Sequence, residues 1–208
     1  MGPNTGRTAR IFVDFWNFQL QWNDRTQRAP CDWTRLPRAL LARAEHVLST
    51  VGSNTPLLLD ESRVYASYDP ARPADANLRR WLDSFLDRQP SYRVVSKERR
   101  SHASPAHCTA CGNEVRECPR CRQPLRQSVE KGVDTAIVTD LLSLAWEQAF
   151  DVAILVSSDS DLVPGVERLQ ERGPKVINAT WRGHGHHLAK ASWGSFDLDT
   201  MVAELTRT

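Results

Sequence analysis

No stretch of this sequence approaches the roughly 20 consecutive apolar residues that a helix needs to cross a bilayer. Met1 to Arg10 lacks the apolar centre of a secretory signal, and the first apolar run, Ile11 to Val13, stops at Asp14. A cytoplasmic protein without a membrane partner is therefore expected. Charge of one sign is also lacking: 27 Lys and Arg face 25 Asp and Glu, a formal net charge of +2, so the molecule as a whole does not announce a polyanionic partner. There is no internal repeat. Cysteine is scarce as well, with 5 in 208 residues, and all but Cys31 fall between Cys108 and Cys121. That grouping excludes a chain-wide disulfide scaffold and fits a metal site in a reducing compartment.

What is present is enough for one packed domain with a small insert. The hydrophobic fraction is 40%, sufficient for a core at this length. Charge is unevenly spread. Arg93, Lys97, Arg99, Arg100, Arg116, Arg120, Arg122 and Arg126 outnumber Glu98, Glu114, Glu117 and Glu130 in the same region. This is either a solvated arginine-rich face or a patch for an anion such as a phosphate backbone.

Periodicity predicts strands at Arg10–Asp14, Arg63–Ser67, Tyr92–Ser96, Asp151–Ser157 and Lys175–Ala179. Helices are predicted over Trp33–Thr50, Ala74–Arg88, Glu130–Gln148 and Leu162–Arg172, the last stopping at Gly173. The segment after Asp14 reads as a polar stretch, and the tail from His186 reads as a short helix followed by a segment around Phe196–Asp199. The continuous apolar run of Val152 to Val156 is that of a strand covered on both faces. Alternating strands and helices imply an α/β sandwich around a parallel sheet. Ser101 to Gln127 breaks the rhythm, dividing the chain into 1–97, an insert at 98–127, and 128–208.

The insert holds Cys108-Thr-Ala-Cys111 and Cys118-Pro-Arg-Cys121. Each Cys-x-x-Cys pair can wrap a tight turn with both sulfurs facing one ion, and two such turns complete a tetrahedral structural zinc site. Paired disulfides, a redox dithiol and an iron centre of the same geometry are the alternatives. An insert of about two dozen residues builds no core, so its metal is expected to fold it.

Carboxylates recur where strands end. Asp14 closes the first strand with Asn17 beyond it, Lys131-Gly-Val-Asp134 opens a helix, and Ser157-Ser-Asp-Ser-Asp161 follows the most apolar strand. Singly, each acid is explained as a cap. Gathered at one end of a sheet they would repel one another unless a hard cation such as Mg²⁺ or Mn²⁺ sat among them. Asp140 lies about 120° around the helix from Asp134 and is left outside the site.

In order and spacing, Val13-Asp-Phe-Trp-Asn17, Lys131-Gly-Val-Asp134 and Val156-Ser-Ser-Asp-Ser-Asp161 resemble the motifs of the NYN domain, a branch of the PIN-like nuclease superfamily. The resemblance runs from about Arg10 to Leu198 and implies a PIN-like three-layer α/β/α fold and a metal-dependent ribonuclease. By the same resemblance Asp14, Asp134, Asp159 and Asp161 form the acidic cluster for Mg²⁺ or Mn²⁺, Asn17 bonds beside it and Lys131 faces phosphate. The family commonly has glycine at Ser158, and the cysteine insert is no part of its common core. The expected chemistry is in-line attack of an activated water, leaving a 5′-phosphate and a 3′-hydroxyl.

RNA is the expected substrate, gripped by Arg99, Arg100, Arg120, Arg122 and Arg126 of the insert. Trp16, Trp22 and Trp181 offer either base stacking or core packing. His184, His186 and His187 read as surface residues that can approach the same crevice. A DNA-directed nuclease and a non-catalytic RNA- or protein-binding module are the rival readings, and a homodimer or a protein docked on the insert fits either. A phosphohydrolase with an aspartate nucleophile is disfavoured, because no second aspartate stands two residues beyond Asp14.

Overall fold

The computed structural model of the chain describes residues 6–129 and 132–207, so Lys131 lies outside the described residues. Of Arg100 and Arg126 only the backbone is described. A six-stranded sheet forms the centre: β1 (Arg7–Asp14), β2 (Leu57–Tyr68), β3 (Tyr92–Glu98), β8 (Val152–Val156), β9 (Lys175–Thr180) and β10 (Gly194–Asp197). Its order is β10-β9-β8-β1-β2-β3, and every pairing is parallel. This is the expected α/β architecture. β1 lies inside it between the continuously apolar β8 and the buried second half of β2, so both of its faces are covered.

Period-two alternation sorts each strand into two cores. Ala9, Ile11 and Val13 of β1 and Val152, Ile154 and Val156 of β8 pack against α1 (Phe15–Thr26), α2 (Leu36–Ser49), α3 (Pro73–Ser84) and α7 (Val202–Leu205). Phe12, Ala153 and Leu155 pack against α4 (Val133–Trp146), α5 (Val163–Gln170) and α6 (His186–Ala191). Helix, sheet and helix make three layers. Each fully buried large apolar side chain contributes about 1.5–3 kcal/mol.

The stretch after Asp14, read from the sequence only as polar, is helix α1. Polar residues dominate its composition, but Phe15, Phe18 and Trp22 fall on one face and are buried, and Asp14 accepts a hydrogen bond from the Asn17 amide as N-cap. The helix ends where Gln27 turns left-handed at φ 53°. β2 is longer than its apolar half predicts, because Leu57–Leu59 pairs with Arg7–Ala9 before the register slips at Arg10.

The cysteine segment leaves the sheet as an arm between β3 and α4. β4 (Arg100–Ala103) pairs antiparallel with β7 (Arg126–Val129), and β5 (Ala106–His107) with β6 (Glu114–Val115). The arm therefore rises from the end of the sheet where β1 and β8 finish. At its root Arg99 is bonded to Asp75 at 2.7 Å, and its guanidinium lies 4.9 Å from the Trp16 ring centroid. Arg99 is thereby engaged in joining the arm to α1 and α3.

Trp22 and Trp181 are fully buried and pack with Phe18, so core packing accounts for both and neither ring is open to a base. Trp16 is half-buried and donates its indole N–H to the Ser67 carbonyl at 2.6 Å. Cys31 is a core residue, and burial pushes its thiol well above the ordinary range.

Candidate active site

The carboxyl ends of neighbouring strands β1 and β8 bring the first and third acidic motifs together. Asp14, only 7% exposed, accepts from the Ser157 hydroxyl at 3.2 Å. The same Ser157 oxygen accepts the Asp159 amide at 3.1 Å. Asn17 completes the link, its side-chain oxygen accepting the Ser158 amide at 2.9 Å. Asp159 in turn caps the turn that follows, accepting the Asp161 amide at 2.9 Å. Asp14, Asn17, Ser157, Ser158 and Asp159 are thus one hydrogen-bonded unit, with Asp159 half-buried and Asp161 exposed beyond it.

Sequence reasoning assigned nothing to Ser157, Thr180 or Gly185. The Ser158 hydroxyl lies 2.8 Å from that of Thr180 at the end of β9, which also donates to the His184 carbonyl at 3.1 Å. Gly185 has φ +65°, and a Cβ there would meet Thr180 Oγ1 at 2.4 Å and Ser158 Cα at 2.8 Å. Only glycine lets the loop sit this close. The departure from glycine at Ser158 is therefore used as a tie to β9. The signal was present as the Gly-His-Gly pattern just past a strand, but its partner became identifiable only with the strand order. His184, His186 and His187 are exposed at this rim.

Asp134 stands half-buried in the first turn of α4, whose helix packs on β1 and on the turn after Asp159. Asp140, six residues on, accepts from Arg63 and from the Tyr65 hydroxyl, each at 2.8 Å. It clamps α4 to β2, apart from the acidic unit, as its angular offset implied. Burial pushes the Tyr65 phenol well up, and its bond to Asp140 adds to that.

Among the described residues, no group of three or more His, Cys, Asp or Glu side chains is gathered to hold a metal ion. Of the four expected aspartates, Asp14 and Asp159 are joined through the shared Ser157 hydroxyl. As local caps, the carboxylates of Asp14 and Asp159 are also turned toward amides of their own loops. The donor chemistry itself suits Mg²⁺ or Mn²⁺, being hard carboxylate oxygens at strand ends.

In the arm, the two cysteine turns have matching backbones. The Cys108 amide donates to Asn113 and accepts Gly112 at its carbonyl, at 2.9 and 2.8 Å; Cys118 does the same with Gln123 and Arg122, at 2.9 and 2.8 Å. Gly112 and Arg122 take the left-handed conformation at the same position, φ 73° and 58°. No disulfide forms. The Cys111 and Ala110 amides hold the Cys108 thiol below its ordinary range, and the Cys121 and Arg120 amides do so for Cys118. Each turn thus carries two cysteine sulfurs, the ligand type zinc takes, on one tight loop, and among the described residues the four sulfurs are not drawn into a single group. Arg120 and Arg122 are exposed on the second turn.

The NYN domain family matches residues 9–193. A 50-residue segment is 44% identical to the uncharacterized protein y4oD of Sinorhizobium fredii, covering 24% of this chain and 23% of that protein. The match thus spans less than a quarter of the relative's length. A crystal structure of a protein of unknown function, VPA0982 of Vibrio parahaemolyticus, matches with a TM-score of 0.56 at 18% identity, over 96% of this chain and 97% of that one. At that identity the likeness concerns the fold alone.

Proposed function

This chain belongs to the NYN domain family, a nuclease-like family, and we propose from that membership and from the Asp14–Ser157–Asp159 unit that it is a metal-dependent nuclease hydrolysing phosphodiester bonds in RNA. The observation that carries the reading is the joining of two carboxylate-bearing loops through one serine oxygen, at 3.2 and 3.1 Å, beyond adjacent parallel strands. That crevice is where open α/β sheets bind ligands.

Asp14, Asp134, Asp159 and Asp161 are the residues that would hold Mg²⁺ or Mn²⁺. When bound, the ion supplies Lewis-acid activation of the phosphate and of the attacking water. The chain's own contribution is positioning. Asn17 and Ser157 hold the third motif against the first, and the Ser158–Thr180 contact with Gly185 sets the far wall. Lys131, assigned by resemblance, would offset charge growing on phosphate. In the arm, Cys108, Cys111, Cys118 and Cys121 would bind structural zinc, presenting Arg120 and Arg122 to the backbone of the substrate. In this reading residues 98–127 are an added grip on a nuclease domain formed by 1–97 and 128–208, working in the cytoplasm.

A second reading is favoured by one observation. Because no three metal-ligating side chains converge among the described residues, the same fold would also serve a non-catalytic RNA- or protein-binding module. Labelled RNA and DNA incubated with Mn²⁺, Mg²⁺ or chelator separate the readings. Metal-dependent loss of RNA, abolished in Asp159→Asn, is expected. Undiminished cutting by both Asp14→Asn and Asp159→Asn would overturn the assigned site, and equal cutting of DNA would broaden the substrate.

A further inference from the structure

At the pole opposite the acidic unit a cleft of about 990 Å³ opens between the ends of α4 and α5 and the beginnings of β1, β8 and β9. Its wall includes Trp146, the last residue of α4, which is 74% exposed and the most exposed large apolar side chain among the described residues. The Arg172 guanidinium lies 4.6 Å from the Trp146 ring centroid. Arg7, Arg168 and Lys175 line the same cleft, against Asp151 as the one acid of the lining, and Asp151 accepts the Thr8 amide at 2.8 Å. Arg168 is shared with Glu171 at 2.6 Å, and the Lys175 ammonium rests 3.8 Å over Trp193.

We infer that this cleft is a second contact for single-stranded RNA, a base stacking on Trp146 while Arg7, Arg172 and Lys175 meet the phosphates. The choice of RNA rests on the nuclease reading above. Basic residues at the end of α5 also offset its helix dipole, and Arg168 and Arg172 are placed for that. Dipoles do not explain why an indole is left in water, nor why Arg7 and Lys175, which open strands, turn the same wall basic. A π-face with a guanidinium on it beside further cations is the chemistry of single-strand binding, where any base can stack. The volume lies in the range of small-ligand sites. β1 runs 8 residues from this pole to the acidic one, about 26 Å, so a strand touching both must span the sheet. Short oligonucleotides reach only one.

The test uses the full chain carrying Asp159→Asn, with no Mg²⁺ or Mn²⁺ added, so that binding is read without cutting. Fluorescence anisotropy follows a labelled single-stranded RNA of about 20 nucleotides, longer than one site of about 4–16, a labelled tetranucleotide, and the matched DNA. Trp146→Leu is expected to weaken the long RNA about tenfold, the loss of one base stack. Trp146→Phe should restore most of it. Arg172→Gln with Lys175→Gln should flatten the slope of log affinity against log salt by about 1.4, for two single-strand phosphates. The tetranucleotide should lose less than the long strand. Trp146 is exposed, so its replacement leaves the fold standing, which circular dichroism verifies.

Equal affinity of every variant for the long RNA would overturn the inference. A change in oligomeric state on Trp146→Leu, with RNA affinity unchanged, would give the face to a second copy of the chain. Tighter DNA binding at Trp146 would move the ligand from RNA to DNA. Wild-type cutting with Mn²⁺ is scored separately. Trp146-dependent binding without any cutting removes the nuclease reading alone, and cutting with Trp146-independent binding removes this inference alone.

Discussion

The parallel sheet and the cysteine arm are stabilised by opposite means. In the sheet, buried strands such as Val152–Val156 meet helices on both faces, and the many buried apolar side chains outweigh chain entropy. The arm has two short strand pairs and almost wholly exposed residues from Ala106 to Pro124, with nothing to bury. Its order depends on backbone turns around cysteines. The same element shows the difference: burial holds the Cys31 thiol protonated, whereas amides pointing at Cys108 and Cys118 favour the thiolate.

Removing metal should break the comparison most sharply. Stripping the proposed zinc with a chelator, or replacing Cys118 and Cys121 by Ser, is expected to unfold the arm while the sheet keeps its melting temperature. Structural zinc contributes on the order of 10 kcal/mol in small metal-folded units. Limited proteolysis mapped by mass spectrometry reads this, and cleavage spread evenly through sheet and arm would contradict it. Next in size, Ile154→Ala should cost about 2–5 kcal/mol in urea unfolding without altering zinc content. Lost zinc would show that the arm depends on the core.

Asp159→Asn sharpens the contrast between holding the fold and doing chemistry. Because Asn still accepts the Asp161 amide, stability should change by less than about 0.5 kcal/mol. Cutting should fall by about 100- to 1,000-fold, the usual cost of removing one electrostatic stabiliser. Single-turnover assays beside thermal melts measure both, and a variant that melts early would make Asp159 structural. Last, Arg120→Glu with Arg122→Glu should weaken RNA binding about tenfold and lessen its salt dependence. Unchanged anisotropy titrations would leave the arm a structural or protein-docking element.

Much of this was legible in order along the chain. The run from Val152 to Val156 could only be a strand with two covered faces, and the spacing of Ile137, Leu141 and Leu144 could only be the inner stripe of a helix. α1 was not legible, since Phe15, Phe18 and Trp22, set among Asn, Gln, Asp and Arg, form a helix face only when a core is there to receive them. Nor was the role of Arg99. Its charge suggested a ligand, but Asp75 and Trp16, remote in sequence, engage it.

By itself the sequence determined the elements that local chemistry dictates: strand and helix periodicity, the paired cysteine turns, and aspartates at strand ends. These depend on residues within a few positions of one another. Tertiary structure alone decided which loops meet. Strand order made Ser157 the tie between Asp14 and Asp159, brought Gly185 against Ser158, and left Trp146 and its cations at the far pole. Such contacts depend on how a sheet is wound, and side chains more than a hundred residues apart become neighbours only after burial has chosen the winding.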